Sequence, residues 1–299
     1  MEAEKGIRGG YLKSRRFRIF LGLFCFIAIL AIVIPPAVVI TLRKKARSMG
    51  PKSTVFVPLY VYPAPGAWSP LEDVIKRYPE LNFTIVINPG SGPGPNPLPD
   101  ANYTREIPLL RRFDNVRLLG YVATTYANRD IALVREDVET YAAWPARSAN
   151  GSLAVNGIFF DETPQAFDEN ALAYYQELTS LVKQSKGLGP DNTVVHNPGA
   201  VPDPRYLSTA DTTVIFEDTY DTFLHRNDQK VFSKVANGNR NALCAIIHSV
   251  PTDIGDSDLR SLVKEARKVA DEVFITLKKE DYYAGFGPKW DAFVDLMDQ

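Results

Sequence analysis

The feature that most constrains the fold is a series of eight short apolar runs that alternate with helical patterns after Pro51. This alternation is typical of β/α units built around a parallel sheet. Eight strands is the count of a closed barrel, whereas an open doubly wound sheet, the main alternative, normally has fewer strands in about 250 residues. We therefore predict an α/β fold, a (β/α)8 TIM-type barrel. The predicted strands are residues 55–61, 83–88, 116–122, 156–161, 193–197, 213–217, 242–248 and 272–277, and the clearest predicted helices are residues 168–186, 221–235 and 256–270.

Two of the predicted strands end in paired acids. Gly-Ile-Phe-Phe at 157–160 leads into Asp161 and Glu162, and Thr-Val-Ile-Phe at 213–216 leads into Glu217 and Asp218. Because α/β barrels keep their chemistry at the carboxyl ends of the strands, these acids are candidates for acid/base or nucleophilic catalysis. Adjacent residues of a regular strand point to opposite faces, so one acid of each pair is expected to be structural unless the strand has ended. Capping of the next helix is the alternative role for such acids.

Other strand ends add aromatic and polar side chains to the same rim. This mixture suits a sugar, because aromatic faces stack on C–H surfaces while amides and carboxylates bind hydroxyl groups. The tyrosines are equally compatible with the edge of the core, and the histidine with either a hydrogen-bonded wall residue or a proton shuttle. The predicted substrate-binding residues are Tyr60, Tyr62, Asn88, Tyr121, Asn197, Asp218 and His248.

Several classes of function are disfavoured by the motifs and the charge. The three histidines form no His-x-Glu-x-x-His or comparable cluster, which argues against a zinc hydrolase or zinc deacetylase. The sequence has no Gly-x-Ser-x-Gly elbow of a serine hydrolase, and no Gly-Lys-Ser/Thr of a phosphate-binding loop follows the Pro- and Gly-rich stretch 89–97. A net charge of −1 argues against a nucleic-acid surface. We predict no metal, no organic cofactor and no nucleic-acid partner.

An apolar segment at residues 19–42 is long enough to cross a bilayer, because about 20 apolar residues span the hydrocarbon core. Basic residues flank it on both sides, with a slight excess on the N-terminal side, which favours a cytosolic N-terminus. We predict a single-pass type II membrane protein with a cytosolic basic tail at 1–18, a signal anchor at 19–42, a juxtamembrane linker at 43–53 and an extracellular or lumenal barrel at 54–299. The alternative is a cleaved signal peptide and a secreted body, although no Ala-x-Ala site follows the segment.

The sequons and cysteines are compatible with a body outside the cytosol. Three Asn-x-Ser/Thr sequons predict N-glycosylation at Asn82, Asn102 and Asn150. Cys25 lies in the predicted membrane segment and Cys244 in a predicted strand, so the body cannot form an internal disulfide. A body of this size does not need one for stability.

Four motifs, in their order along the chain, resemble those of the spherulin-4 (spherulation-specific family 4) family. They are residues 57–63 Val-Pro-Leu-Tyr-Val-Tyr-Pro, residues 86–94 Val-Ile-Asn-Pro-Gly-Ser-Gly-Pro-Gly, residues 156–162 Asn-Gly-Ile-Phe-Phe-Asp-Glu, and Phe216-Glu217. The resemblance covers residues 54–298. It implies a (β/α)8 barrel. It also implies the activity of the family's characterised fungal members, the endo-α-1,4-N-acetylgalactosaminidases of glycoside hydrolase family 135, whose substrate is galactosaminogalactan, a secreted cell-wall and biofilm polysaccharide.

The resemblance also implies which acids act, because the family's active-site acids correspond to Asp161, Glu162 and Glu217. In the roles we favour, Asp161 is the nucleophile and Glu217 the general acid/base, which gives retention of the anomeric configuration. Glu162 then orients one of them or binds a hydroxyl group. An inverting water, or the substrate's acetamido group as internal nucleophile, stays open at this point. The alternative functions are a non-catalytic carbohydrate-binding or developmental cell-surface protein on the same barrel, and a metal-free deacetylase.

Overall fold

The structure, a computed structural model, describes residues 49–299. The predicted basic tail at 1–18, the predicted membrane segment at 19–42 and the start of the predicted linker lie outside the described residues. Between Met49 and Gln299, no helix combines the length and apolar character that a membrane span requires. Residues 49–299 cluster as a single unit, which holds all eight predicted strands.

Eight parallel strands form a closed barrel in which each strand pairs with the next along the chain and the last pairs with the first. The barrel prediction is therefore confirmed, and the open doubly wound sheet is excluded. The strands are buried along almost their whole length, as expected when helices cover the outer face and side chains fill the interior. The strands are β1 (Thr54–Leu59), β2 (Phe83–Ile87), β3 (Val116–Ala123), β4 (Gly157–Asp161), β5 (Thr193–His196), β6 (Thr212–Thr219), β7 (Leu243–His248) and β8 (Glu272–Ile275).

Helices connect successive strands. Asp100, Asp130 and Asp168 cap three of them, because their side-chain oxygens accept hydrogen bonds from backbone N–H groups of the first turn. The predicted helix at 221–235 is two helices, because Lys230 has a φ of 57°, in the left-handed region that a right-handed helix does not contain. The helices are α1 (Ser69–Arg77), α2 (Ala101–Leu110), α3 (Ile131–Ser148), α4 (Glu169–Gln184), α5 (Tyr220–Asp228), α6 (Ser233–Asn239), α7 (Asp256–Val269) and α8 (Trp290–Asp298).

Gly157 at the start of β4 permits a close approach of two strands. A Cβ added at this position would overlap the backbone of Thr193 on β5. Because glycine has no side chain, the strands can pair in register from Gly157 with Thr193 to Phe160 with His196. The next residue on each strand path, Asp161 at the end of β4 and the asparagine after His196, therefore lies at the same level of the barrel.

A β-bulge in β6 orients the second acidic strand end. The register between β6 and β7 shifts between Val214 and Phe216, which leaves one extra residue on β6. After the bulge, Phe216 packs on the outer face of the barrel against Phe223 of α5 and Phe232, with ring centroids 5.4 and 5.6 Å apart. Glu217 is the next residue of the strand, so its side chain points to the interior.

Polar side chains close the amino-terminal end of the barrel. A cavity of about 1020 Å³ lies there, with Thr84, Arg117 and Glu272 in its lining. Oε1 of the buried Glu272 accepts a hydrogen bond from Thr84 at 3.3 Å and lies 3.7 Å from Arg117 Nη1. Its Oε2 has no partner among residues 49–299. Burial raises the pKa of Glu272 to about 7, and the nearby Arg117 charge offsets only part of this rise.

Replacing Glu272 with Gln is expected to stabilise the fold above neutral pH. A carboxyl whose pKa is raised on folding favours the folded state below its unfolded pKa of about 4.3, and this contribution is lost as the pH rises. The loss is complete once the pH has risen through the folded pKa of about 7. The variant should therefore exceed the parent in free energy of unfolding by on the order of 3 kcal/mol at about pH 8, and by little at about pH 4. Denaturant unfolding at both pH values measures this, with the exposed Glu80→Gln as control, and an equal difference at both would contradict it.

Candidate active site

Asp161 is the last residue of β4 and faces the barrel interior. Phe159, two residues earlier, packs inside the barrel against an aromatic ring of β1, with centroids 5.8 Å apart. Alternate residues of a strand share a face, so Asp161 lies on the same side as Phe159. The strand ends at Asp161, and Glu162 follows with a left-handed φ of 56°. Glu162 thus lies outside the regular strand. The alternation of faces no longer applies to it, so both acids can lie at the rim of the barrel.

Asn197, the first residue after β5, joins the two acidic strand ends. Its buried Nδ2 donates a hydrogen bond to Asp161 Oδ1 at 2.8 Å and another to Glu217 Oε2 at 2.6 Å. These two carboxylate oxygens are therefore at most about 5.4 Å apart, the sum of the two distances. Retaining glycosidases hold their carboxyl groups about 5 to 5.5 Å apart and inverting enzymes about 6.5 to 9.5 Å apart.

Tyrosine hydroxyls occupy the remaining oxygens of both acids. Tyr121 on β3 donates to Asp161 Oδ2 at 2.8 Å, and Tyr283, between β8 and α8, donates to Glu217 Oε1 at 2.5 Å. The Tyr60 ring stands between these two rings, 5.7 Å from Tyr121 and 5.4 Å from Tyr283, in edge-to-face contact with each. The aromatic rings thus form a wall that fixes both carboxyl groups and limits their contact with water.

This burial shifts the ionisation of the acids. Desolvation raises the pKa of Asp161, although the hydrogen bonds from Tyr121, the Glu162 backbone and Asn197 oppose the shift. Desolvation likewise raises the pKa of Glu217, and the bonds from Tyr283 and Asn197 oppose it. The carboxyl groups also repel each other when both are ionised, which raises the pKa of Glu217 further, so the two acids titrate as a coupled pair.

The wall tyrosines stay neutral under the same conditions. Desolvation and the neighbouring Asp161 charge raise the pKa of both Tyr60 and Tyr121 above its ordinary value. Desolvation and the charge of Glu217 raise that of Tyr283. The Tyr121 and Tyr283 hydroxyl groups therefore stay hydrogen-bond donors to the acids throughout the physiological pH range.

The other acids at the ends of β4 and β6 are not helix caps. Helix α4 is capped by Asp168 and helix α5 by Thr219, whose Oγ1 accepts from the Thr222 N–H at 3.3 Å. The Glu162 carbonyl accepts hydrogen bonds from the loop after β3, and Asp218 Oδ1 accepts from the Thr219 N–H at 2.6 Å. The capping alternative is therefore wrong for both acid pairs.

His248 at the end of β7 stacks on a tyrosine that the sequence analysis did not single out. The His248 ring lies 3.8 Å from the Tyr282 ring, with an interplanar angle of 18°, and its Nδ1 is 2.9 Å from Ser249 Oγ. Burial lowers the pKa of His248, while the Asp218 carboxylate opposes this shift. The neutral imidazole thus forms a flat, buried part of the wall, which agrees with the wall role that the sequence left open.

Two of the predicted substrate-binding residues are bonded elsewhere. The Tyr62 hydroxyl donates to Asp100 at 3.0 Å and accepts from Asn102 at 2.6 Å. Asn88 Oδ1 accepts from the Gly92 N–H at 3.1 Å and so shapes the Pro- and Gly-rich loop. Within residues 49–299, no hydrogen bond joins Tyr62 or Asn88 to Asp161 or Glu217. Of the ten predicted site residues, the structure brings Tyr60, Tyr121, Asp161, Asn197 and Glu217 into direct contact.

The predicted glycosylation sites differ in their surroundings. Asn82 and Asn150 are exposed, whereas Asn102 is partly buried and its side chain bonds Tyr62 and Arg105. Attachment of a glycan at these positions stays a prediction. In the part of the chain from Met49 onward, no group of three or more His, Cys, Asp and Glu side chains is arranged to hold a metal ion.

The chain is a closed barrel with two paired carboxyl groups at its carboxyl end. It therefore belongs to the class of barrel proteins with the two-carboxylate arrangement that glycosidases use. Within that class, the chain belongs to the spherulation-specific family 4, whose family model matches residues 54–297. The family resemblance of the motifs is therefore confirmed.

The chain is similar to two known proteins to different degrees. The crystal structure of Aspergillus clavatus Sph3 in complex with GalNAc is 66% identical, with a TM-score of 0.82, over 84% of this chain and 99% of that chain. Spherulin-4 of Physarum polycephalum is 34% identical over 165 residues, which are 55% of this chain and 44% of the relative. The chain thus matches less than half the length of the Physarum polycephalum protein.

Proposed function

We propose that this protein is a glycoside hydrolase that cleaves α-1,4-linked N-acetylgalactosamine in galactosaminogalactan-type polysaccharide. The observation that carries the proposal is the spacing of Asp161 and Glu217, held within about 5.4 Å by one amide. The GalNAc bound by Sph3, at 66% identity to this chain, supports the choice of sugar. Neutral tyrosines beside the acids suit an uncharged, hydroxyl-rich substrate.

The hydrogen bonds favour different roles for the two acids. Asp161 accepts from three donors, namely Tyr121, Asn197 and the Glu162 N–H, whereas Glu217 accepts from two. Donors stabilise the ionised form, so Asp161 is the better carboxylate nucleophile and Glu217 the better proton carrier. In this assignment Glu217 carries the proton when substrate binds, and Asp161 is ionised.

These roles give a two-step, retaining reaction. Glu217 donates its proton to the glycosidic oxygen as the C1–O bond breaks, while an Asp161 oxygen attacks C1 and forms a glycosyl ester. Glu217, now ionised, removes a proton from water, which attacks C1 and releases Asp161 as a carboxylate. The acetamido group of an α-linked residue lies on the same side of the ring as the leaving oxygen and cannot attack from behind, so Asp161 is the preferred nucleophile.

We also propose that the chain acts as a type II membrane protein with its barrel outside the cytosol. The apolar run at 19–42 with basic flanks supports an anchor, and a secreted polysaccharide would meet the barrel there. The cleaved, secreted form is the alternative. Immunoblots of membrane and medium fractions from cells expressing the full chain distinguish the two.

The test of the proposed activity is reducing-end release and product mass from galactosaminogalactan incubated with the purified full chain. Short N-acetylgalactosamine oligosaccharides whose first-formed reducing ends are α anomers by NMR would support a retaining endo-glycosidase. Release of acetate without chain shortening would indicate the deacetylase. Binding of the polymer with no released ends would indicate a carbohydrate-binding protein.

Tyr283→Phe is expected to move the alkaline limb of the kcat/KM profile to higher pH. The Tyr283 hydroxyl lowers the pKa of Glu217 by stabilising its carboxylate, so without it Glu217 keeps the catalytic proton to higher pH. Tyr78→Phe is the matched control, because that hydroxyl donates to Asp295, a carboxylate on α8, at 3.0 Å. An alkaline limb that stays in place or moves to lower pH would argue against Glu217 as the acid.

A further inference from the structure

The loop after β3 contains three consecutive non-glycine residues in the left-handed region. Thr125, Tyr126 and Ala127 have φ values of 49°, 55° and 65°. Each such residue is destabilised by about 1 kcal/mol or more relative to its ordinary conformation, so the surrounding structure has to hold the turn in place. Strained backbone of this kind is concentrated at functional sites.

Buried hydrogen bonds on one side and a partly buried ion pair on the other hold this turn in place. The buried Thr124 donates through Oγ1 to the Asp161 carbonyl at 2.7 Å and lies 2.6 Å from the Tyr175 hydroxyl. On the other side, Arg129 pairs with Asp137 at 2.7 Å. Because these contacts fix both ends of the turn, the conformation is a defined feature of the fold.

The turn is also attached directly to the candidate active site. The Tyr126 N–H donates to the Glu162 carbonyl at 2.6 Å, and Glu162 follows Asp161 in the chain. Tyr126 therefore lies on the rim next to one of the paired acids. A polysaccharide whose bond is cleaved at Asp161 and Glu217 extends beyond the cleaved bond in both directions, so its further sugars pass over this rim.

The Tyr126 ring differs from the other exposed aromatic rings between Met49 and Gln299. Its side chain is 57% exposed, and no hydrogen bond or ring contact holds it within those residues. By contrast, Tyr62 is tied to Asp100 at 3.0 Å, and Phe167 is covered by the Arg205 guanidinium at 3.2 Å from the ring centroid. A strained, rigid turn thus presents a free aromatic face to solvent.

We propose that Tyr126 forms an outer sugar-binding subsite, in which its ring stacks on the C–H face of a pyranose residue beyond the one attacked by Asp161. The inference rests on the proposed glycoside hydrolase function and extends it to polymer recognition. The hydroxyl-bearing edges of the sugar stay in water, and the ring contributes apolar contact at little cost in entropy, because the turn is already ordered. Tyr126 is a substrate-binding residue and takes no part in bond cleavage.

The test uses full-length Glu217→Gln protein, so that bound sugar is not consumed, with and without a second substitution at position 126. Asn is chosen because it tolerates left-handed backbone, and Phe because it keeps the ring. The probes are GalNAc and an α-1,4-linked N-acetylgalactosamine hexasaccharide, with calorimetric Kd as the readout. Leu224→Ala, at a 38% exposed position on α5, is the control for loss of apolar surface.

We expect Tyr126→Asn to raise the Kd of the hexasaccharide by about 3- to 10-fold and Tyr126→Phe and Leu224→Ala to leave it within about twofold. The Kd of GalNAc should not change in any variant. The Tm of Tyr126→Asn should equal or exceed that of the parent, because Asn relieves left-handed strain. The protein with Tyr126 should therefore bind the hexasaccharide more tightly than the Tyr126→Asn variant without being more stable. This combination shows that the tyrosine serves binding and not stability.

The other outcomes count against the Tyr126 subsite, against the hydrolase function, or against both. An unchanged hexasaccharide Kd in Tyr126→Asn would exclude the subsite. An equal loss of affinity for GalNAc, or a fall in Tm together with the affinity, would make Tyr126 part of the central site or of the fold. Hexasaccharide binding that depends on Tyr126 in a protein whose parent releases no reducing ends would refute the hydrolase proposal alone. Absence of all sugar binding by the parent would refute both.

Discussion

Glu217→Gln is expected to lower kcat for polysaccharide hydrolysis by about 10²- to 10⁴-fold, while oligosaccharide affinity stays within about threefold of the parent. Gln has the shape of Glu but cannot donate a catalytic proton. The fold should tolerate it, because the amide oxygen can face the Asn197 donor and the amide N–H₂ can donate to Tyr283, whose hydroxyl can also accept. Hydrolysis is followed by reducing-end release and binding by calorimetry.

The matched control is Glu169→Gln, the same chemical change at an exposed position in the first turn of α4. It should leave kcat unchanged. Full activity in Glu217→Gln would remove Glu217 from the reaction. Loss of both activity and sugar affinity, with an unchanged Tm, would place Glu217 in substrate binding instead of proton transfer.

Asp161→Gly is expected to lower hydrolysis at least about 10²-fold and to regain turnover in sodium azide. Gly leaves space where the Asp161 carboxylate stood, so azide can attack C1 from the same side while Glu217 protonates the leaving oxygen. The product is then a β-glycosyl azide, the anomer opposite to that of the natural retained product. NMR of the product from an activated α-N-acetylgalactosaminide with a phenolate leaving group identifies it.

Asp228→Gly, at an exposed acid that ends α5, is the control and should neither lose activity nor respond to azide. Turnover in Asp161→Gly without azide, at the parent rate, would exclude Asp161 as nucleophile. Formation of an α-glycosyl azide would indicate attack from the other face. Both substitutions replace Asp with Gly, one at the end of β4 and one at the end of α5, so the comparison separates loss of the Asp161 carboxylate from the general effect of a new glycine.

The barrel could be predicted from the sequence because its strands are short, apolar and regularly separated by helices. All eight predicted strands are present, although the strands at 55–61 and 272–277 were predicted two residues too long. Apolar side chains continue past these ends, as at Val61 and Leu277, so composition does not mark where pairing stops. The helix at 221–235 was predicted as one element because its break at Lys230 depends on a left-handed φ in a residue with good helix propensity.

The pair Asp161 and Glu217 could also be predicted from the sequence, because the carboxyl ends of the strands in a closed barrel lie close together. Tyr283 was missed because it lies in the segment after the last strand, where no periodic pattern fixes a side chain in space. The adjacent pair Tyr282-Tyr283 in a polar loop was the available signal. Tyr62 and Asn88 were grouped with the acids because they follow strands, but they are bonded within their own loops, which sequence spacing does not reveal.

The amide of Asn197 has two N–H hydrogens, and the acid pair uses both. A carbonyl or hydroxyl oxygen of an incoming sugar can take a hydrogen from Asn197 only by displacing one of the acids. The displaced carboxyl then loses a bond that had favoured its ionised form, and its proton affinity rises. When the displaced acid is Glu217, arrival of a sugar at Asn197 is therefore accompanied by proton uptake, so the substrate itself helps to protonate the acid that cleaves it.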